Sequence, residues 1–294
     1  MKKTFLLFAI ATLALGACGT PTQSANGKLK IVATTTLIGD VAKTIGGDYV
    51  DVKILFPPGA DPHGFEPRPQ DIVALSDAQM VLINGLGLEA TIQPLLANAK
   101  QLIEVSQGIT PLSLDGEHGG VDPHVWQDPA NVMIWSQNIA DALGQADPSH
   151  AEEYQANAEN YITALKSLDA WIVEQVILIP IDQRKLVTEH DTFSYFAKKY
   201  RFEIVGAIIP SASASAAPSA QELAALEDAI RSLGVRAVFV GSTVSPALAE
   251  QVTRDTGTRL IRLYTDSLST AGGEADTYLA FMRYNVNAIT EALK

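Results

Sequence analysis

One cysteine in 294 residues permits no intramolecular disulfide and excludes a zinc site built from several thiolates. Positive charge is scarce as well: 21 Lys and Arg stand against 33 Asp and Glu, for a formal charge of -12. Sequence-independent nucleic-acid binding needs a basic surface to neutralise phosphates, so that class is set aside and a cation is the more natural partner. No G-x-x-x-x-G-K-[ST] phosphate loop and no G-x-S-x-G nucleophile elbow occurs, which removes the P-loop ATPases and the elbow hydrolases. Past the first eighteen residues, no run approaches the roughly 18 apolar residues of a transmembrane helix. What remains is a chain 47% hydrophobic and long enough for about two domains, in which any metal must be held by His, Asp or Glu.

The N-terminus has Lys2 and Lys3 ahead of an apolar run from Phe5 to Leu15, then Leu15-Gly16-Ala17-Cys18. So short a run ending in small residues predicts a signal peptide over 1–17. The order Leu-Gly-Ala-Cys resembles a bacterial lipobox, which makes Cys18 the lipidated first residue of an exported, membrane-anchored protein. An ordinary signal peptide cut near Ala17 is the plainer alternative. Residues 18–28 are polar and rich in turn formers, as a tether should be.

From Leu29 onward, short β-branched runs alternate with helical stretches, the pattern of an α/β protein with mainly parallel sheets. Strands are expected at 30–34, 50–56, 80–84 and 101–104, and again at 186–189, 203–208, 237–240 and 260–263. Helices are expected at 37–45, 69–77, 90–99, 131–143, 192–199, 220–233, 246–256 and 276–293. Between the two groups lies one long helical segment, 148–179. Asp147 and Ser149-x-x-Glu152 suit its start, Pro180 ends it, and Tyr154, Ala158, Ile162, Leu165, Leu168, Ile172 and Val176 give it an apolar face. It reads as a strut joining a lobe at 29–147 to a lobe at 180–294.

Of five histidines, three follow a strand or precede a helix: His63 in Asp61-Pro62-His63, His124 in Asp122-Pro123-His124, and His190 at the end of a strand. Asp266, in Tyr264-Thr265-Asp266-Ser267, is placed likewise. Ligands of open α/β sheets bind beyond the carboxyl ends of the strands, so these four would meet between the lobes. Three imidazoles and a carboxylate suit a first-row divalent cation better than Ca2+ or Mg2+, which prefer oxygen throughout. Gly85-Leu86-Gly87-Leu88-Glu89-Ala90, with Glu104 downstream, imitates a dinucleotide fingerprint, but it is not on the first strand and a tight turn is the simpler reading. His118 falls in an acidic loop where weak metal capture is conceivable, and His150 reads as a surface residue.

Taken in order, Asp61-Pro62-His63 with Glu66-Pro67, Asn84 to Glu89, Asp122-Pro123-His124-Val125-Trp126, His190-Asp191-x-Phe193-x-Tyr195-Phe196 and Tyr264-x-Asp266-Ser267 resemble the zinc and manganese substrate-binding lipoproteins of ABC importers. The resemblance covers the whole mature chain. It implies two α/β lobes joined by a rigid helix, one metal ion between them held by His63, His124, His190 and Asp266, and a permease with its ATPase as partners of a monomer. Manganese-type members tend to have Glu where this chain has His190, so zinc is the favoured cargo and manganese the alternative. The chain departs from the pattern at Ala217, where relatives usually carry an acidic residue, and at Gly241, where they often carry Glu. Two rival classes are an exported zinc hydrolase with Glu66 or Glu189 as general base and a surface adhesin.

Overall fold

The computed structural model describes residues 27–114, 120–211 and 217–294. The expected signal peptide, Cys18 and His118 lie outside the described residues. All eight expected strands form, each with ends shifted by no more than two residues. The first sheet contains β1 (Leu29–Ala33), β2 (Val50–Ile54), β3 (Met80–Ile83) and β4 (Leu102–Glu104) in the order β2-β1-β3-β4. The second contains β5 (Lys185–His190), β6 (Glu203–Ile209), β7 (Ala237–Gly241) and β8 (Arg259–Leu263) in the order β6-β5-β7-β8. Every pairing is parallel, and both sheets repeat one order although no residue-level repeat is visible. Strands such as Met80–Ile83 and Ala237–Gly241 are buried along their whole length, as parallel strands covered on both faces must be.

The helices are α1 (Thr36–Gly46), α2 (Pro69–Asp77), α3 (Gln93–Leu96), α4 (Pro129–Ala146), α5 (Ala151–Val176), α6 (Ser194–Tyr200), α7 (Ala220–Leu233), α8 (Ala247–Thr256) and α9 (Tyr278–Leu293). Helix α5 links the two α/β lobes and packs on α1, α4 and α9. Its 26 residues span about 39 Å at 1.5 Å each. Three details differ from expectation. The segment opens as a 3-10 turn over Pro148–His150, and no capping box forms. Asp147 instead turns its carboxylate to the side chains of Ser149, His150 and Tyr154, and the His150 ring stacks on Tyr49 with centroids 3.8 Å apart. The buried stripe runs through Tyr161 in place of Ile162. Pro94, which lacks an N–H, limits the expected helix at 90–99 to a 3-10 turn and the single turn α3.

One hydrophobic cluster runs from Ile31 in β1 through Trp126, Trp135 and the buried face of α5 to Phe281 and Leu293 in α9. It therefore takes side chains from both lobes and crosses the boundary between them. Smaller clusters fill one face of each sheet, around Val81 and Leu96 in the first and Val238 and Val252 in the second. Among the described residues no helix is long and apolar enough to cross a membrane.

Candidate metal centre

Each of the two Asp-Pro-His segments folds its Asp back onto its His. Asp61 caps a 3-10 turn over Pro62–Gly64 by accepting the N–H of His63 at 2.8 Å. Asp122 accepts the N–H of His124 at 2.9 Å and also the ring Nδ1–H at 2.8 Å. A carboxylate only accepts, so this bond assigns the proton to Nδ1 and turns the Nε2 lone pair of His124 towards the other rings. Asp122 is fixed in turn from the far lobe, for Tyr195 donates its hydroxyl to the Asp122 carbonyl at 2.8 Å. Asn84 donates to the Pro123 carbonyl at 3.0 Å, which steadies the same loop from β3.

The second lobe contributes His190 as the last residue of β5 and Asp266 just beyond β8. Thr243 and Thr265 both donate hydroxyls to Asp266 Oδ2, at 3.2 and 2.6 Å, which leaves Oδ1 pointing inward. His63, His124, His190 and Asp266 each present one donor atom, and these four atoms lie within 4.8 Å of one another. His63 Nε2 and His124 Nε2 are 3.1 Å apart, and Asp266 Oδ1 is 3.5 Å from His124 Nε2 and 3.7 Å from His190 Nε2. Three of the four residues are buried and His63 is partly exposed at the rim. Asp266 Oδ1 and both ring nitrogens of His190 are buried without a hydrogen-bond partner. The set thus offers three nitrogens and one oxygen to a single point, the donor chemistry of a borderline-soft divalent cation.

Charge around the site is unevenly shared. Burial and the facing imidazole of His124 push the His63 ring down to about 3, so it is neutral at any physiological pH. Burial also opposes charge on His190, but Asp266 and Glu189 outweigh it and push that imidazole up to about 10. For Asp266 burial acts upward, and the three imidazoles around it hold the carboxyl well below the usual carboxylate range.

Residues outside the cluster are equally informative. Glu66, one candidate general base, is exposed and stands apart from the four, whereas Glu189 is buried beside His190. In the nucleotide-like motif, Gly85, Leu86 and Gly87 all take positive φ (80°, 55° and 87°). The buried Glu89 carboxylate accepts the N–H groups of Asn84 and Gly85 and the Thr34 hydroxyl. A carboxylate thus fills the place where a phosphate would be cradled. The supporting roles of Asp122, Thr243 and Thr265 were not read from the sequence. For Asp122 a signal existed, since an Asp stands two residues before both His63 and His124.

Comparison with known proteins places these features. A family model described as zinc-uptake complex component A, periplasmic (ZnuA) matches residues 31–292. The manganese-binding lipoprotein MntA of Halalkalibacterium halodurans is 37% identical, with 100% of this chain and 99% of that protein covered. Among solved structures, the manganese-bound periplasmic metal-binding protein of Candidatus Liberibacter asiaticus superposes with a TM-score of 0.82 at 29% identity, covering 91% of this chain and 100% of that one. The periplasmic zinc-binding protein TroA of Treponema pallidum gives a TM-score of 0.85 at 28% identity, covering 91% and 99%. The chain belongs to the ZnuA family: it is a metal-binding substrate-binding component of an ABC importer, not an enzyme, with a cluster of three histidines and an aspartate between two α/β lobes.

Proposed function

We propose that His63, His124, His190 and Asp266 bind one divalent ion, manganese in the cell, which the protein carries on the outer face of the membrane and hands to its permease. Cys18 bears the lipid, residues 18–28 form the tether, and the strut at 148–179 joins the lobes at 29–147 and 180–294. The observation that carries this reading is the convergence of four donor atoms within 4.8 Å, among them an Asp266 oxygen buried without a partner. A buried polar atom left unsatisfied costs about 1–3 kcal/mol, which a cation at that point relieves. Four protein ligands also close a tetrahedral shell, whereas hydrolytic zinc keeps a position open for water.

The sequence favours zinc on the strength of the imidazole at position 190; the manganese-binding relative that matches over the full chain supports manganese instead. Imidazole content is a poor guide to cargo, because nearly any nitrogen and oxygen site binds Zn2+ more tightly than Mn2+ and supply decides which ion is carried. One observation favours a second reading with zinc as cargo: Thr243 and Thr265 occupy Asp266 Oδ2, so a single carboxylate oxygen faces the site and coordination stays at four. Competitive binding of Mn2+ and Zn2+ to the purified mature protein, with the metal recovered from a native preparation, separates the two. One ion per chain and manganese in the native material are expected. Zinc there would support the second reading, and uptake no greater than that of a His63→Ala, His190→Ala double variant would sink both.

Proton release offers an independent check. With its imidazole raised to about 10, His190 carries a proton at pH 7 that a metal ion must displace. Binding is expected to release about one proton per ion at neutral pH, and apparent affinity to rise about tenfold per pH unit from about 7 to 9. Calorimetry in two buffers of different ionisation enthalpy measures this. Metal uptake with no proton release would show that His190 is already neutral.

A further inference from the structure

We infer that Glu189 orients His190 for the metal ion, and that the bare backbone of Gly241 is the opening that allows it. The inference rests on the reading of His190 as a ligand. An imidazole that gives one nitrogen to a metal must place its other N–H on an acceptor, which fixes tautomer and ring orientation. His124 has Asp122 for this purpose on its own loop. His190 emerges from a strand and has no such turn before it, and its Nδ1 is buried with no hydrogen-bond partner. The carboxylate oxygen that faces it is Glu189 Oε2, at 3.6 Å.

Adjacent strand residues ordinarily point to opposite faces, so Glu189 should look away from the ring of its neighbour. It does not, because its carboxylate turns towards the end of β7, where the Gly241 N–H approaches the same Oε2 at 3.4 Å. A Cβ on Gly241 would lie 3.2 Å from this oxygen and only 2.5 Å from the hydroxyl oxygen of Thr265, the group that holds Asp266 Oδ2. Position 241 therefore borders two supports at once, one for each ligand of the second lobe. A side chain there displaces the Thr265 hydroxyl and crowds the carboxylate that His190 needs. Glu189 is thus a positioning residue, and Gly241 is constrained by space: its φ is not in the left-handed region.

The test uses the full mature protein, Zn2+ as a diamagnetic probe, titration against a chelator and NMR of the histidine ring nitrogens. Glu189→Ala is expected to weaken Zn2+ binding about 10- to 100-fold and to lose the slowly exchanging Nδ1–H signal of His190. Glu189→Gln, whose amide oxygen still accepts, should keep that signal and bind within about threefold of the native protein. Gly241→Ala should weaken binding although the carboxylate is retained. Native affinity with the Nδ1–H signal intact in Glu189→Ala would overturn the inference, as would a Glu189→Gln as weak as Glu189→Ala. Thermal melts of the metal-free variants separate folding from binding. Should Glu189→Ala fail to fold, the other two decide by the His190 Nδ1–H signal: its loss in Gly241→Ala beside its retention in Glu189→Gln supports the inference, and a native-like signal in Gly241→Ala overturns it. Native protein that takes up no Zn2+ would defeat the ligand reading itself, before any variant is compared.

Discussion

His190→Ala is expected to lower affinity for the cargo ion by about two to three orders of magnitude. Structural zinc sites with four ligands are worth about 10–16 kcal/mol at neutral pH, or about 2.5–4 kcal/mol per ligand, and each 1.4 kcal/mol is tenfold. His190 matters beyond its share, since its removal leaves the buried Asp266 Oδ1 facing a hole where one of its two neighbouring imidazoles had been. Uncompensated buried charge is costly, so the metal-free form should also be destabilised. Asp266→Asn makes a useful companion. It keeps an oxygen for Thr243 and Thr265 but removes the one formal negative charge in the ligand set, and should lose affinity to a similar degree without leaving a cavity. Chelator competition with melting curves on the same samples checks both; an affinity within about tenfold of native for His190→Ala would exclude it as a ligand.

Trp126→Ala is expected to be the most destabilising single change outside the four candidate ligands. The indole is fully buried, lies edge-on to the His124 ring with centroids 5.2 Å apart, and donates its N–H across the lobe boundary to the Thr265 carbonyl at 2.8 Å. Its own carbonyl accepts the Tyr278 hydroxyl at 2.7 Å. Truncating a buried Trp costs about 3–5 kcal/mol through lost transfer energy and cavity. A stranded Thr265 carbonyl adds about 1–3 kcal/mol. Trp126→Phe restores most of the volume but not the donor, so it should sit about 1–3 kcal/mol below native. Denaturant melts of the metal-free protein measure both. A Trp126→Ala midpoint equal to native would mean the indole is not holding the lobes together.

Much of this is legible in the sequence, for identifiable reasons. Short β-branched runs located all eight strands: central ones such as Met80–Ile83 and Ala237–Gly241 are apolar on both faces because both faces are covered, while edge strands such as Leu102–Glu104 stay partly exposed. The four site residues stood out because each lies in a short polar segment at the end of a predicted strand or the start of a helix, where the fold gathers its loops. The strut was visible from spacings of three and four, although Tyr161 shows that a long aromatic can take the buried stripe one position away from where aliphatics alone would place it. Supports for the site were not legible. Glu189 and Gly241 are 52 positions apart, and their approach depends on two parallel strands lying side by side, which no local pattern encodes. Thr243 and Thr265 are ordinary loop residues until the fold turns both hydroxyls onto one carboxylate oxygen. The cargo was the least legible part, because donor type reports affinity, while the carried ion also depends on supply.

The hydrophobic cluster that crosses the lobe boundary bears on time as well as on structure. On the proposed reading two donors come from each side of that boundary, and the shared core opposes free swinging of the lobes. A bound ion would then wait for packed side chains such as Trp126 and Tyr278 to loosen, or for the partly exposed His63 to swing out at the rim. Local openings in a core draw on its packing energy, so they are infrequent. Dwell time is then a separate inheritance from affinity: two variants with the same four ligands and the same equilibrium constant could hold their ion for very different lengths of time. A permease that contacts the rim could shorten the wait without weakening a single metal bond.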